Sequence, residues 1–181
     1  MARVLIPLAN GCEELEAVTV IDLLRRAGIE VVTAGLEDGP VTASRGVVLI
    51  PDTDLGQVLE EDFDMIVLPG GLPGADHLDA DPRIHSLLRR MAEQERYTAA
   101  ICAAPKVLLN AGLLGGREAT AYPGAIDGLM TENSRLLADA VVTDGRVRCL
   151  RGRLADSIPL LTVLRGRSTA VCAQCADYDD G

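Results

Sequence analysis

The stretch Val-Leu-Ile-Pro-Leu-Ala-Asn-Gly-Cys-Glu-Glu-Leu-Glu-Ala-Val-Thr-Val-Ile-Asp-Leu-Leu-Arg-Arg-Ala-Gly, residues 4 to 28, changes its period part-way along. Val4 to Leu8 is a short apolar run that stops at the turn signal Ala9-Asn10-Gly11. A helical pattern follows at once. Glu13 and Glu14 occupy the first turn, where negative charge suits the helix dipole. Val18, Ile21, Leu23 and Leu24 give the apolar spacing, and Arg25 and Arg26 precede a stop at Gly28. The reading is strand, tight turn, helix.

Further along, the same alternation recurs. Ile29 to Ala34 repeats the strand signal, Val41 to Ile50 holds two β-rich pieces around Ser44-Arg45-Gly46, and Phe63 to Leu68 runs into Pro69-Gly70-Gly71. Pro82 to Gln94 reads as a helix with Ile84, Leu87, Leu88 and Met91 on one face. Tyr97 to Ile101 is a strand ending at Cys102, and Pro105 to Ala111 is a helix closed by Gly112. Ala140 to Val142 and Arg146 to Leu150 suit a hairpin across Asp144-Gly145, and Ile158 to Leu164 supply a last apolar helix or strand. Strands alternating with helices predict an α/β sandwich with a mostly parallel sheet, a single domain over residues 1–165. Residues 166–181 lack a clear period and are expected to form a poorly ordered tail. Ligands of such sheets collect at the carboxyl ends of the strands.

Composition narrows the function. The chain has 181 residues and a formal net charge of −10, with one Phe, three Tyr and no Trp, so its core is aliphatic and alanine-rich. Nucleic-acid binding is not expected of so acidic and aromatic-poor a chain, nor is attraction to anionic lipid. No stretch reaches the roughly 20 apolar residues of a membrane span, and the start has no signal-peptide pattern, so a cytoplasmic location is expected. The charge is uneven: residues 1–145 carry −12 and residues 146–181 carry +2. The five cysteines, Cys12, Cys102, Cys149, Cys172 and Cys175, are expected to be mostly free thiols in that compartment.

Cys102 is the cysteine with a chemical setting. It closes the strand Ala99-Ala100-Ile101 and leads through Ala103-Ala104-Pro105 into a helix, a nucleophile elbow in physical terms. A helix amino end and free backbone N–H groups there favour the thiolate and are expected to depress the thiol pKa. Pro69-Gly70-Gly71 ends another strand at the same edge, where glycines let backbone amides approach a substrate as an oxyanion hole. Glu16 lies one turn into the first helix, in line with Val20 and Leu24, and a glutamate on a buried stripe wants a partner. A thiolate and a protonated carboxyl sharing a hydrogen bond would satisfy both groups, with Glu16 as proton carrier.

These residues resemble the ThiJ/PfpI superfamily, most closely the branch holding the bacterial ThiJ proteins. The resemblance runs through residues 11–18, 21–29, 43–47, 64–71 and 99–105, in the expected order. It implies a flavodoxin-like three-layer sandwich forming a homodimer. It also implies Cys102 as an oxidation-sensitive nucleophile, Glu16 as its carboxyl partner, and Gly70, Gly71 and the Ala103 amide around them, with Arg45 near both dimer interface and active site. Tyr122, in Ala-Tyr-Pro-Gly, stands where many members have a histidine. Ala103 follows Cys102 where the protease-like branch has histidine, so a Cys-His peptidase is not implied. Of the two histidines, His85 reads as a surface residue and His77 follows the glycine loop.

After the last hairpin the family pattern Ser-Arg-Gly-Pro-Gly-Thr gives way to Leu150-Arg151-Gly152-Arg153-Leu154-Ala155, which we read as a reading-frame shift near Val147. Cys172 and Cys175 form a lone CxxC without a second pair or a strand-to-helix setting, so it is not read as a zinc or redox site. Cys12 reads as a bystander thiol. The implied activity is that of a glutathione-independent glyoxalase or deglycase acting on methylglyoxal, glyoxal or their adducts, with no metal and no organic cofactor. A redox sensor or stress chaperone working through oxidation of Cys102 is the alternative, and a thiamine-related role follows from family naming alone.

Overall fold

The structure, a computed structural model, describes residues 1–130 and 133–152. The expected element at residues 158–164, the 166–181 tail and the Cys172/Cys175 pair lie outside the described residues. In chain order the elements are β1 (Arg3–Leu8), α1 (Glu14–Arg26), β2 (Glu30–Gly35), β3 (Val41–Thr42), β4 (Val48–Leu49), β5 (Thr53–Asp54), α2 (Leu55–Val58) and β6 (Met65–Leu68). Then come α3 (Gly74–Ala80), α4 (Pro82–Glu93), β7 (Tyr97–Ile101), α5 (Pro105–Asn110), β8 (Glu118–Ala119), β9 (Arg135–Leu136), β10 (Val141–Asp144) and β11 (Val147–Leu150). No described helix is long and apolar enough to cross a membrane.

Seven strands form the central sheet in the order β10-β11-β7-β6-β1-β2-β5. Every pairing is parallel except the β10–β11 hairpin. β6, in the middle of the sheet, is apolar and buried at all four residues, as a sheet covered on both faces requires. One apolar cluster joins Val4, Ile6, Met65, Val67, Ala99 and Ile101 to Ala17, Val20 and Leu24 of α1. The other joins Leu5, Ile66, Leu68 and Ala100 to Leu78 of α3, Leu88 of α4 and Leu108 of α5. This is a flavodoxin-like α/β fold with helices on both faces of a mostly parallel sheet.

Two details of packing depart from expectation. Val18 does not belong to the buried stripe of α1 and is 47% exposed, whereas Glu16, Ala17, Val20 and Leu24 are buried. At about 100° per residue Val18 and Val20 stand about 200° apart, so one helix cannot bury both on a single face. Arg148 is the second. It lies in β11 two residues before Leu150, on the same side of the strand, and is only 8% exposed. Its Nη1 donates to the carbonyls of Gly145 and Val147 at 2.9 and 3.0 Å, and its guanidinium sits 5.3 Å from the Tyr97 ring centroid. Its buried Nε has no hydrogen-bond partner among the described residues.

After β1 the chain adds β2 and β5 on one side, then returns to place β6 on the other, so the topology reverses between β1 and β6. The carboxyl ends of β1, β6, β7 and β11 point the same way because these strands are parallel. The loops that follow them therefore meet at one edge.

Candidate active site

Each of those strand ends delivers one part of a cluster. β1 leads into α1 and carries Glu16 to the edge; β6 runs out into Gly70 and Gly71; β7 ends at Cys102; β11 ends two residues before Gly152. Cys102 is held by backbone bonds on two sides, its N–H donating to Leu150 O at 2.9 Å and its C=O accepting from Tyr122 N–H at 2.8 Å. Its φ of 59° is in the left-handed region, which a non-glycine residue enters only at a cost of about 1 kcal/mol or more. The sharp reversal from β7 into α5 needs that conformation, and it turns the thiol out of the strand line.

Gly70 has no room for a side chain. A β-carbon there would lie 2.6 Å from Cys102 Cβ and 2.7 Å from Glu16 Oε2. With the side chain absent, the Gly70 N–H reaches Glu16 Oε2 at 2.9 Å. The glutamate thus takes the amide that the sequence suggested for an oxyanion. Gly71 and Ala103 supply the other amides, and both act on the Cys102 sulfur.

The electrostatics reverse the expected assignment of protons. Burial first, then the charge of Glu16 and a hydrogen bond from the thiol to its carboxylate, push the Cys102 thiol up to about 12, with the Gly71 and Ala103 amides pulling the other way. The expected depression of the thiol pKa is not found. α5 spans only Pro105–Asn110, too short to build a large dipole, and the Glu16 carboxylate, with burial, outweighs the two amides that act on the sulfur. Burial also raises Glu16, from 4.5 to about 7, against the hydrogen bonds from Cys102 and the Gly70 amide. The carboxyl therefore gives up its proton first. Near neutral pH the pair is a thiol facing a carboxylate that is half-ionised and ready to accept.

The remaining sequence candidates are placed as follows. Tyr122 adjoins Cys102 through its backbone amide, while its side chain is 58% exposed. Arg45 sits exposed on the β3–β4 turn, where its N–H donates to Glu14. His77 Nδ1–H donates to the Asn10 carbonyl at 2.8 Å, in a cleft of about 630 Å³ at the ends of β1 and β2. That is a different place from the cysteine cluster. His85 is half-buried rather than a surface residue, because its Nε2–H donates to Asp79 O at 2.7 Å. Cys12 and Cys149 are fully buried, and burial raises their thiols to about 11 and about 12.

Sequence reasoning passed over Gly152. A β-carbon on it would lie 2.8 Å from Cys102 Cβ, 3.1 Å from Glu16 Oε1 and 3.2 Å from Cys102 Sγ. The available signal was the Arg151-Gly152 pair just beyond β11, which keeps the Arg-Gly of the family pattern.

A flavodoxin-like sandwich that presents a cysteine on a left-handed elbow against a buried glutamate defines a class of cysteine-elbow α/β proteins. The chain matches the DJ-1/PfpI family over residues 2–159 and belongs to it. It is 42% identical over 149 residues to protein dj-1beta of Drosophila melanogaster, covering 82% of this chain and 80% of that one. It is 33% identical over 143 residues to the deglycase PH1704 of Pyrococcus horikoshii, covering 79% and 86%. The crystal structure of Drosophila melanogaster DJ-1beta aligns with a TM-score of 0.86 at 36% identity, covering 96% of this chain and 94% of that one.

Proposed function

We propose that the protein is a cofactor-free, cysteine-dependent glyoxalase or deglycase whose substrates are methylglyoxal, glyoxal and their adducts. The observation that carries the reading is the hydrogen bond between half-buried Cys102 and buried Glu16, with the carboxyl raised to about 7. A base poised near the working pH suits proton transfer in both directions. The similarity to a relative named a deglycase supports the same chemistry.

In this reading Cys102 Sγ attacks the aldehyde carbon as its proton passes to Glu16, and Glu16 hands that proton on to the carbonyl oxygen, which becomes the hydroxyl of a hemithioacetal. The Glu16 carboxylate then takes the proton from that carbon and returns it to the neighbouring carbon, while the hydroxyl proton moves to the neighbouring oxygen, giving a thioester of the 2-hydroxy acid. Water cleaves the thioester, releasing the hydroxy acid and restoring the thiol. The sum is methylglyoxal plus water to lactate and a proton, an internal redox change that needs no external oxidant.

Lactate formation by the wild type and by Cys102→Ala tests the proposal. Turnover by the wild type that Cys102→Ala lacks is the expected result; no turnover by either defeats it. The alternative of a redox sensor working through oxidation of Cys102 is tested by mass spectrometry after mild peroxide treatment, and it fails if Cys102 is not the first thiol oxidised.

We further propose that the chain acts as a cytoplasmic homodimer. Leu15 and Val18 of α1 and Val47, Val48 and Ile50 of the β3–β4 hairpin are exposed apolar residues. The two elements are tied together by Ser44 Oγ and the carboxyls of Glu13 and Glu14 at 2.9 Å, which favours their joint use as one contact face.

A further inference from the structure

Gly70 and Gly152 approach the Cys102–Glu16 pair from the ends of different strands. Gly70 comes from β6 and binds Glu16 Oε2 through its amide. Gly152 comes from β11 and lies beside the other carboxyl oxygen, Oε1, and beside the sulfur itself. We infer that Gly152 is a positioning residue for the thiol: its bare backbone fills the space over Cys102 Sγ and Glu16 Oε1, holding the donor and acceptor together while leaving the sulfur open to a small electrophile. The inference rests on Cys102 being the reacting group, as proposed above.

The geometry makes the requirement specific. A methyl at 152 would stand 2.8 Å from Cys102 Cβ, which is backbone-anchored and cannot yield, and 3.2 Å from Sγ, where an incoming atom must pass. Relief would have to come from moving Glu16 away from the sulfur or Gly152 away from both. Gly152 also has φ of +101°, so any side chain there adds backbone strain. Gly39 separates the two effects: its φ is +97° and a β-carbon on it meets nothing within 4 Å.

The test compares wild type, Gly39→Ala and Gly152→Ala in the full chain, reading iodoacetamide modification of Cys102 by peptide mass spectrometry. Gly152→Ala is expected to slow alkylation about tenfold or more, and Gly39→Ala to leave it within about twofold. Equal rates in all three proteins overturn the inference. Because Gly152→Ala also strains the backbone, thermal unfolding supplies a second measurement in a Cys102→Gly background, which removes both Cys102 contacts. The melting-temperature loss caused by Gly152→Ala is expected to shrink there to that of Gly39→Ala; an unchanged loss overturns the inference. Alkylation and unfolding do not depend on turnover, so a protein that makes no lactate yet shows these effects defeats the proposed function and leaves this inference standing.

Discussion

Glu16 Oε2 accepts the Gly70 N–H at 2.9 Å, a bond that joins α1 to the end of β6 across 54 residues of sequence. The second oxygen, Oε1, faces Gly152, where an added β-carbon would lie 3.1 Å from it. One amide thus holds the carboxyl, and the carboxyl in turn raises the thiol.

The pH dependence of turnover follows from that arrangement. Because Glu16 titrates at about 7, kcat/KM for methylglyoxal is expected to rise through that pH as the carboxylate becomes able to accept the thiol proton. Glu16→Gln is expected to remove this limb and lower kcat by about 100-fold or more. Its thiol is also expected to titrate below the wild-type value of about 12, since the adjacent negative charge is gone. Initial rates across pH and thiolate absorbance check both; a wild-type profile flat from pH 5 to 9 is incompatible with the assignment.

The same carboxyl links pH to stability. Folding raises Glu16 from 4.5 to about 7, so between these values the folded chain keeps a proton that the unfolded chain has lost. Its contribution to stability is fully present below the lower value and is lost as pH rises through the upper one. Relative to wild type, Glu16→Gln is expected to gain on the order of 3 kcal/mol in unfolding free energy between pH 4 and pH 8. Urea unfolding at the two pH values measures it, and a pH-independent difference contradicts it.

Cysteine selectivity is a third expectation. Limited iodoacetamide treatment of the native protein should label Cys102, which is half-buried, and spare Cys12 and Cys149, which are fully buried. Labelling of Cys12 or Cys149 at a comparable rate would contradict the burial described here.

Arg148 is buried, and among the described residues its Nε has no hydrogen-bond partner, in a strand whose neighbouring residues are apolar. Burial lowers its pKa, which marks the cost of keeping the charge there. Arg148→Ile is expected to raise the unfolding free energy by about 1 kcal/mol or more, as replacements of buried charges by apolar residues often do. A loss of stability in thermal or urea unfolding would show that the Tyr97 contact and the two carbonyl bonds outweigh desolvation.

The proposed dimer is tested by Val18→Asp and Ile50→Asp. Each places a charge in the exposed apolar face and is expected to convert the species seen by sedimentation from dimer to monomer. A wild-type chain that sediments as a monomer ends the idea.

Residues that announce a strand end were readable in the sequence: Pro69-Gly70-Gly71 and Ala99 to Pro105 each mark a change from apolar run to tight turn. Glu16 was readable too, through its line with Val20 and Leu24. Gly152 was not, because its relevance depends on β11 running parallel to β7 with Leu150 opposite Ile101, a register set by tertiary pairing. α3 escaped notice because Gly74 to Ala80 offers a single large apolar residue, Leu78, and too short a run to show a period. The direction of the thiol shift was misread for a physical reason: sequence displays the amide donors and the helix start, but it does not display how deeply a carboxylate and a sulfur share one dry space.

The left-handed backbone at Cys102 has a consequence for how this chain would respond to selection. Glycine at that position would relax the elbow, so Cys102→Gly is the substitution that a search for thermal robustness alone would favour. A library propagated only for folding should therefore drift away from the thiol, and one propagated for carbonyl detoxification should keep it. Comparing the two populations would separate what position 102 contributes to chemistry from what it contributes to the fold.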